Sequence, residues 1–493
     1  MTQTPVETVV TAFTRRLEAQ GLAVTRRDTH VSTVLLAGGS AWKFRKAVDF
    51  GFLDFSTPAA RKQSCAREIA LNARYAPGLY EGVETITSDD GLLAEDAVKM
   101  RRFDEAELLS ARLAKGRLDE ARTSALLAFA GALHMDAVAA PSQFGTPRQV
   151  RAQVEGALIG IDPTLHDGRL DARLAACLER CHGALVLRHA RSHIRDCHGD
   201  LHAANVVWLD GRWRAFDCIE FNDSLRYIDP ASDLGFLLMD VEHLGQAALA
   251  HQLLDAWVTA TGDMEALSVL PLYRVYRALV RAKVACLEAA AAAPEARMAS
   301  RARARSLLAL AERYLRPAVS PTLVITHGVS ASGKSSNARR LVLDAGVLHL
   351  RADFERRRIA GLPLYARSAS RPGTDLYSEA HNRATYDRLA HAAASALGAG
   401  QSVVVDATFL RHAQRLRFRA LAAVCGATFR ILDCQAPEAI LRERLYRRSK
   451  DDRDPSEATQ EVLSMQLAKR EPLTTEEQGF LLPAGGDRRL RFE

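Results

Sequence analysis

Residues 328–335 read Gly-Val-Ser-Ala-Ser-Gly-Lys-Ser, which is the G-x-x-x-x-G-K-[ST] pattern of a Walker A loop. The β-forming run Thr322–Thr326 precedes this loop, and helix-forming residues 335–344 follow it. In such a loop the glycines let backbone N–H groups face phosphates, the lysine reaches the β- and γ-phosphates, and the serine ligates magnesium. The stretch therefore predicts a nucleotide site, with the candidate residues Gly328, Ser332, Gly333, Lys334, Ser335 and Ser336.

Further β-forming runs lie downstream of this loop. Ser402–Asp406 is nearly continuous in apolar residues, as expected for a parallel strand covered on both faces, and Ala427–Asp433 forms another run. Because helical stretches lie between these runs, the region is predicted to form an α/β domain with a parallel sheet. Asp406, at the end of its strand, is the candidate second magnesium ligand; the alternative is an acid on a surface turn.

An acid and a group of arginines accompany the Walker A loop. Asp353 follows a short apolar run soon after the loop's helix, where a carboxylate can accept a substrate proton. Residues 442–448 contain four arginines on a predicted helix that enters the Ser449–Pro455 loop. They are candidates for a lid over the transferred phosphoryl group, and the alternative is a solvated basic face. The arginines considered for the lid are Arg444, Arg447 and Arg448.

A second motif, unrelated in design, occupies residues 198–205: His-Gly-Asp-Leu-His-Ala-Ala-Asn. Its spacing is that of a kinase catalytic loop, in which Asp200 takes a hydroxyl proton and Asn205 holds a metal ion. Two short apolar runs joined by Asp210-Gly211 then predict a hairpin, and Asp217 lies at its end. Asp217 is therefore a candidate metal ligand, although Asp217-Cys218-Ile219 departs from the D-F-G of protein kinases.

A cation for the phosphates is expected further upstream. Strand, tight turn and strand are predicted over His30–Phe44, and a helix over Pro58–Tyr75. Lys43 on the second strand and Glu68 on the helix suit the ion pair that such sites use, and Lys46 is the alternative because strand periodicity alone does not choose. The first ~100 residues are thus predicted to form a mixed α+β lobe.

These residues carry two family resemblances. Residues ~25–285 resemble the aminoglycoside phosphotransferase and choline kinase superfamily, whose fold is similar to protein kinases, through the 198–205 motif, Asp217 and Arg226–Pro230. Residues 321–480 resemble P-loop kinases related to zeta toxins, gluconate kinase and the 5′-kinase domain of polynucleotide kinase. The second resemblance implies that Asp353 is the base and that Arg356 binds substrate. Phe50–Ser56 resembles a bacterial branch in which the two domains are fused.

The chain is accordingly predicted to hold two domains. Two prolines within residues 316–321 mark a boundary, so we expect a protein-kinase-like α+β domain over 1–316, a linker over 317–321 and an α/β P-loop domain over 322–493. The eight cysteines form no C-x-x-C pair, and the N-terminus lacks a signal-peptide pattern, which together favour a cytoplasmic protein without a membrane span. The net charge of +7 suits nucleotides but is too small and dispersed to favour nucleic acid.

The predicted function is a bifunctional ATP-dependent phosphotransferase with two Mg²⁺-ATP sites, acting on hydroxyl groups of small molecules. One alternative makes the P-loop domain a nucleotide-gated regulatory module, which would couple the two domains. A second alternative has that domain phosphorylate nucleic-acid ends. An acceptor-side base such as Asp353 favours catalysis, because a sensor of nucleotide needs none.

Overall fold

The protein is described by a computed structural model that covers residues 4–51, 53–116, 118–166, 168–316, 320–364, 378–448 and 459–482. Residues 317–319 of the predicted linker and the Ser449–Pro455 loop lie outside the described residues. Within the described part, no helix combines the length and the apolar character needed to cross a membrane. The chain divides into two compact units, described separately below.

The first unit comprises Met1–Phe129, Asp136–Gly156 and Val186–Gln246. It begins with a five-stranded antiparallel sheet of order β1-β2-β3-β5-β4, together with helices α1 and α2. The bounds are α1 Pro5–Ala19, β1 Val24–Asp28, β2 Ser32–Ala37, β3 Ser40–Arg45, α2 Pro58–Asn72, β4 Tyr80–Thr87 and β5 Ala94–Arg101. The predicted strand pair, the predicted helix at α2 and the α+β lobe are confirmed.

Local chemistry starts both of these helices in the same way. Thr4 and Thr57 cap α1 and α2 by accepting a backbone N–H with the side-chain oxygen, and a proline follows each cap. The apolar face of α1 packs on the sheet in a core that contains Phe13, Trp42 and Phe44. Lys43 and Arg45 alternate with these aromatics along β3, so their side chains project from the opposite face of the strand.

The rest of the first unit holds the catalytic-loop motif. Its helices and strands are α3 Leu109–Ala114, α4 Glu120–Ala132, α5 Pro147–Gly156, α6 Leu170–Ala190, β6 Arg195–Asp196, β7 Val206–Leu209, β8 Arg212–Ala215, α7 Asp223–Arg226, β9 Tyr227–Ile228 and α8 Pro230–His243, where α4 and α6 also contribute to the second unit. The predicted Asp210-Gly211 hairpin is confirmed as the β7–β8 pair. It connects the motif to Asp217.

The second unit comprises Ala130–Met135, Ala157–Leu185 and Ala247–Glu493. The longest segment of this unit starts with three helices: α9 Ala247–Thr261, α10 Leu270–Ala291 and α11 Pro294–Leu315. The contacts of these three helices thus group them with the P-loop region, although they precede the predicted linker. The predicted boundary stays a prediction.

A four-stranded parallel sheet of order β11-β12-β10-β13 forms the centre of the P-loop region. Its elements are β10 Thr322–His327, α12 Lys334–Ala345, β11 Leu348–Arg351, α13 Ala352–Ile359, α14 Glu379–Gly398, β12 Val403–Asp406, α15 His412–Val424, β13 Thr428–Asp433, α16 Glu438–Arg448, α17 Gln460–Lys469 and α18 Thr475–Gln478. The parallel sheet and the strand–loop–helix order around residues 328–335 are confirmed. Because β10 is central, the loop that follows it lies at the middle of the sheet's carboxyl edge.

Candidate active sites

In the first unit, one lysine joins the two acids that the sequence pairs with it. Lys43 Nζ lies 2.9 Å from Glu68 Oε1 and 2.5 Å from Asp217 Oδ1. The three residues come from strand β3, helix α2 and the segment after the β7–β8 hairpin. Lys46 instead contacts Asp28 and the carbonyl oxygen of Thr29, so the structure brings Lys43 to the site.

The electrostatics of this lysine favour its charged form. Burial acts to lower the pKa of Lys43, but the Asp217 and Glu68 carboxylates outweigh it and raise that pKa. Removal of water likewise acts to raise the pKa of Asp217, and the Lys43 ammonium outweighs it and lowers that pKa. Lys43 is therefore a fixed cation and Asp217 a fixed anion, as phosphate and metal binding require.

A buried arginine that the sequence analysis missed holds the same glutamate. Arg45 pairs with Glu68 and, at 2.6 Å, with Glu220, while Ser64 Oγ donates to Glu220 at 2.9 Å. Arg45, Glu68 and Glu220 are each at most 3% exposed. The signal available in the sequence was the period of two, which places Arg45 on the same strand face as Lys43. No sequence pattern around Glu220 indicates its contact with Arg45.

The catalytic-loop motif is braced from helix α8. The carboxylate oxygens of Asp233 accept the N–H groups of His198 and Gly199, each at 2.9 Å, and His198 Nε2 lies 2.9 Å from the carbonyl oxygen of Phe216. Through these contacts His198 and Asp233 support the loop. Burial lowers the pKa of His198, which keeps it a neutral structural group.

Asp200 and Asn205 contact each other directly. Asn205 Nδ2 donates to the carboxylate and to the carbonyl oxygen of Asp200, both at 3.0 Å. Since the amide nitrogen is used in these bonds, the side-chain oxygen of Asn205 is the atom suited to a metal ion. Asp200 keeps 38% of its side chain exposed, as a base that meets a substrate needs.

The backbone at Asp217 is in an uncommon conformation. Its φ of +61° lies in the left-handed region, which aspartate adopts more readily than most residues. The hydroxyl oxygen of Tyr80 accepts the N–H of Asp217 at 3.1 Å, and Asn72 Oδ1 accepts the next N–H, of Cys218, at 2.9 Å. The surrounding structure thus fixes this conformation, a feature common at functional sites.

In the second unit, the Walker A residues form a phosphate-binding loop at the end of β10. Gly328 has φ +144°, and a Cβ there would lie 2.3 Å from the carbonyl oxygen of Cys434, so only glycine fits. Ala331 and Gly333 also have positive φ, at +64° and +96°. Lys334 Nζ donates to the carbonyl oxygen of Val329 at 2.7 Å, which folds the lysine over the loop.

Ser335 and Asp406, the two predicted magnesium ligands of the P-loop domain, lie together. Asp406 Oδ2 accepts a hydrogen bond from His349 Nε2 at 3.1 Å. Burial acts to raise the pKa of Asp406, but hydrogen bonds from His349 and Ser335 outweigh it and lower the pKa to about 2. His349 was not predicted as a site residue, because a single histidine on a strand does not indicate a function.

The other predicted residues of this domain are partly brought to the loop. Arg444 Nη1 donates to the carbonyl oxygen of Ala331 at 3.1 Å, so this arginine reaches the phosphate loop. Arg447 pairs with Glu443 at 2.5 Å on the surface, and Ser336 is exposed in the first turn of α12. The side chain of Arg448 lies outside the described residues.

The candidate base of the P-loop domain has a cationic neighbour. Asp353 Oδ1 accepts a hydrogen bond from Arg356 Nη1 at 3.0 Å, and Arg356 Nη2 donates to Asn382 Oδ1 at 3.2 Å. Asp353 and Arg356 lie three residues apart and face the same side of α13. The arrangement joins α13 to α14 beside the candidate acid.

Both sites fit a magnesium nucleotide by the chemistry of their donors. Each offers carboxylate, amide or hydroxyl oxygens, which Mg²⁺ prefers, together with a lysine for phosphate. In the P-loop, Ser332 Oγ is buried and has no hydrogen-bond partner among the described residues. An orphaned hydroxyl beside positive-φ backbone is suited to a phosphate oxygen.

Two family models match the parts of the chain that hold these sites. Residues 35–270 match the family model described as the phosphotransferase enzyme family, and residues 323–473 match one described as an AAA domain. Among solved structures, the GDP and kanamycin complex of APH(2″)-IIIa has 14% identity, covers 62% of this chain and 97% of its own, and has a TM-score of 0.40. A choline/ethanolamine kinase family protein from Mesorhizobium loti has 18% identity, coverages of 60% and 92%, and a TM-score of 0.35.

Relatives that match most of the chain are also known. An uncharacterized protein of Mycobacterium tuberculosis strain H37Rv is 30% identical over 462 residues, which are 90% of this chain and 89% of the relative. An uncharacterized protein of Mycobacterium bovis gives the same values. The chain therefore belongs to the family of these mycobacterial proteins, and it is an ATP-dependent kinase that joins a protein-kinase-like phosphotransferase domain to an α/β P-loop domain. The predicted fold classes are confirmed.

Proposed function

We propose that the protein is a bifunctional kinase with two separate Mg²⁺-ATP sites, each transferring the γ-phosphoryl group to a hydroxyl of a small molecule. The observation that carries the first site is the convergence of Lys43 on Glu68 and Asp217, at 2.9 and 2.5 Å. In kinases, such a lysine holds the non-transferred phosphates and such an aspartate holds magnesium. Asn205 and Asp217 would hold magnesium, which when bound would offset the negative charge of the phosphates.

In the first site, each candidate residue has a separate role. Asp200 accepts the proton of the acceptor hydroxyl as the hydroxyl oxygen forms a bond to the γ-phosphorus, and the bond from that phosphorus to the β,γ-bridging oxygen breaks to release ADP. Asn205 fixes the Asp200 carboxylate through its amide nitrogen and supplies an oxygen for the metal. Lys43, held by Glu68, positions the remaining phosphates.

The second site uses a different set of residues for the same reaction type. Lys334 and the loop N–H groups hold the β- and γ-phosphates, and Ser335 and Asp406 hold magnesium. Asp353 accepts the acceptor's proton, with Arg356 as the neighbouring cation. The Asp353–Arg356 pair supports catalysis over a purely regulatory role, because a regulatory nucleotide site needs no acceptor-side base.

The reactions are proposed to take place in the cytoplasm, with free small molecules rather than nucleic acid as acceptors. All eight cysteines are free, which suits a reducing compartment. We also place the functional boundary between the two domains at residues 317–321.

An untargeted metabolite screen tests this function. Cell extract would be incubated with ATP, Mg²⁺ and wild-type, Asp200→Asn or Lys334→Ala protein, and new phosphorylated products would be identified by mass spectrometry. Two products, each lost in a different variant, are expected. A single product that needs both residues would contradict two independent activities, and an unchanged product set in both variants would contradict both assignments.

A further inference from the structure

Strand β11 lies at the edge of the P-loop sheet, and a side chain from helix α9 caps its outer side. The N–H of Leu348 donates to the carbonyl oxygen of Ser402 at 2.9 Å, toward the neighbouring strand β12. Since successive N–H groups of a strand point in opposite directions, the N–H of His349 faces the open edge. Asp255 Oδ1, on α9, accepts that N–H at 2.7 Å.

His349 connects this edge to the candidate magnesium acid. Its backbone is bound by Asp255, and its side-chain Nε2 lies 3.1 Å from Asp406 Oδ2. His349 and Asp406 are 8% and 7% exposed, so neither can exchange its partner for bulk water without moving. The position of the β11 backbone therefore sets the orientation of the Asp406 carboxylate.

Two further contacts come from the same face of α9, on either side of Asp255. His251 lies so close to Gly346, at the end of α12, that a Cβ on this glycine would be 2.6 Å from His251 Nδ1. The carbonyl oxygen of Thr259 accepts a hydrogen bond from Arg358 Nη2 at 2.8 Å. Residues 251, 255 and 259 are spaced by four, so one helix face contacts α12, β11 and α13 in turn.

We propose that Asp255 is a positioning residue for the Mg²⁺-nucleotide site of the P-loop domain, acting through β11 and His349 on Asp406. The proposal rests on the proposed role of Asp406 as a magnesium ligand. Helix α9 lies within residues 35–270, the segment that matches the phosphotransferase family, and it belongs to the same compact unit as the P-loop sheet. A helix from the stretch that matches the phosphotransferase family thus supports the second site.

Nucleotide binding to the full chain tests the proposal. In an Asp217→Ala background that silences the first site, a fluorescent ATP analogue would be titrated with Mg²⁺ and again with EDTA. Asp255→Ala is expected to weaken Mg²⁺-dependent binding about fivefold to tenfold, with EDTA binding unchanged. Asp255→Asn keeps an acceptor oxygen for the His349 N–H and is expected to stay within about twofold of the parent. Asp344→Ala, at an exposed position of α12, is the matched control and is expected to match the parent.

Amide hydrogen exchange without nucleotide provides a readout independent of binding. In the unsubstituted chain the His349 amide is expected to be protected, and Asp255→Ala is expected to speed its exchange about tenfold. An unprotected His349 amide would overturn the proposal even if the alanine variant failed to fold. Equal loss of binding with and without Mg²⁺, no loss at all, or an asparagine variant as weak as the alanine variant would also overturn it. A parent without Mg²⁺-dependent binding would instead refute the role of Asp406.

Discussion

The two candidate sites hold their phosphate-facing lysines by different means. Lys43 is buried among carboxylates from helix α2 and from the segment after the β7–β8 hairpin. Lys334 is partly exposed and donates to the carbonyl oxygen of Val329, five residues before it. The first site therefore depends on long-range ion pairs, whereas the second is shaped mainly by eight consecutive residues. Substitutions should separate these two kinds of dependence.

The largest expected effect concerns the base of the first site. Asp200→Asn keeps the size of the side chain but removes the proton acceptor, so phosphorylation by this domain should fall about 1,000-fold. Binding of ATP should stay within about threefold, because Lys43 and Asp217 are untouched. Rates would be measured on the acceptor found in the metabolite screen. An equal loss in the rate at which the Lys334-dependent product forms would show that the two sites do not act separately.

The next effect is on stability and should differ between the lysines. Lys43→Met leaves buried carboxylates with fewer cations, so we expect the first unit to lose about 3 kcal/mol. Lys334→Met should cost about 1 kcal/mol or less, because its ammonium is partly exposed. Hydrogen exchange on peptides from β3 and from α12 would report each region separately. Comparable losses in both variants would contradict the distinction drawn here.

Phosphate affinity gives a third, smaller effect. Lys334→Ala should weaken ATP binding at the P-loop site about 30-fold, since a charge-assisted contact to phosphate contributes about 2 kcal/mol. Titration of Mg²⁺-ATP in the Asp217→Ala background isolates this site. Lys469→Ala removes an exposed lysine of α17 and serves as the control with unchanged affinity. A Lys334 variant that binds like this control would refute its role.

The last effect, comparable in free energy to the third, is a pH dependence of the P-loop domain. Burial acts to raise the pKa of Glu477, but its ion pair with Arg415, at 2.7 Å, outweighs this and lowers the pKa to about 2 from 4.5. A lowered folded-state pKa means that the stabilisation is complete above pH 4.5 and is lost as the pH falls toward 2. Glu477→Gln should therefore cost about 2 kcal/mol at pH 7 and flatten the decline in acid.

Urea unfolding, followed by amide hydrogen exchange of α15 peptides at several pH values, would measure how the stability of this domain depends on pH. Glu461→Gln, at an exposed position of α17, is the control and should leave the profile unchanged. An identical acid profile for Glu477→Gln and wild type would show that the buried pair does not set the acid stability.

The contrast between the sites also explains what the sequence could predict. The Walker A loop and the 198–205 motif are each one continuous stretch of sequence. The spacing of residues within each stretch therefore indicates backbone geometry and residue roles. Lys43 and Glu68 were predictable from the fixed order of elements in kinase-like sites. Arg45 and Glu220 were not, because their contact spans 175 residues and nothing near Glu220 marks it. Asp255 is a similar case, since an acid on a helix gives no sign of the strand amide that it caps.

Binding stoichiometry shows whether the chain has two independent nucleotide sites. Isothermal titration of the full chain with a non-hydrolysable ATP analogue and Mg²⁺ would be compared for wild type, Asp217→Ala, Lys334→Ala and the double variant. The expectation is two nucleotides per chain in the wild type, one in each single variant and none in the double variant, at nucleotide concentrations too low to fill a site weakened about 30-fold. One nucleotide per chain in the wild type, abolished by either single substitution, would contradict it.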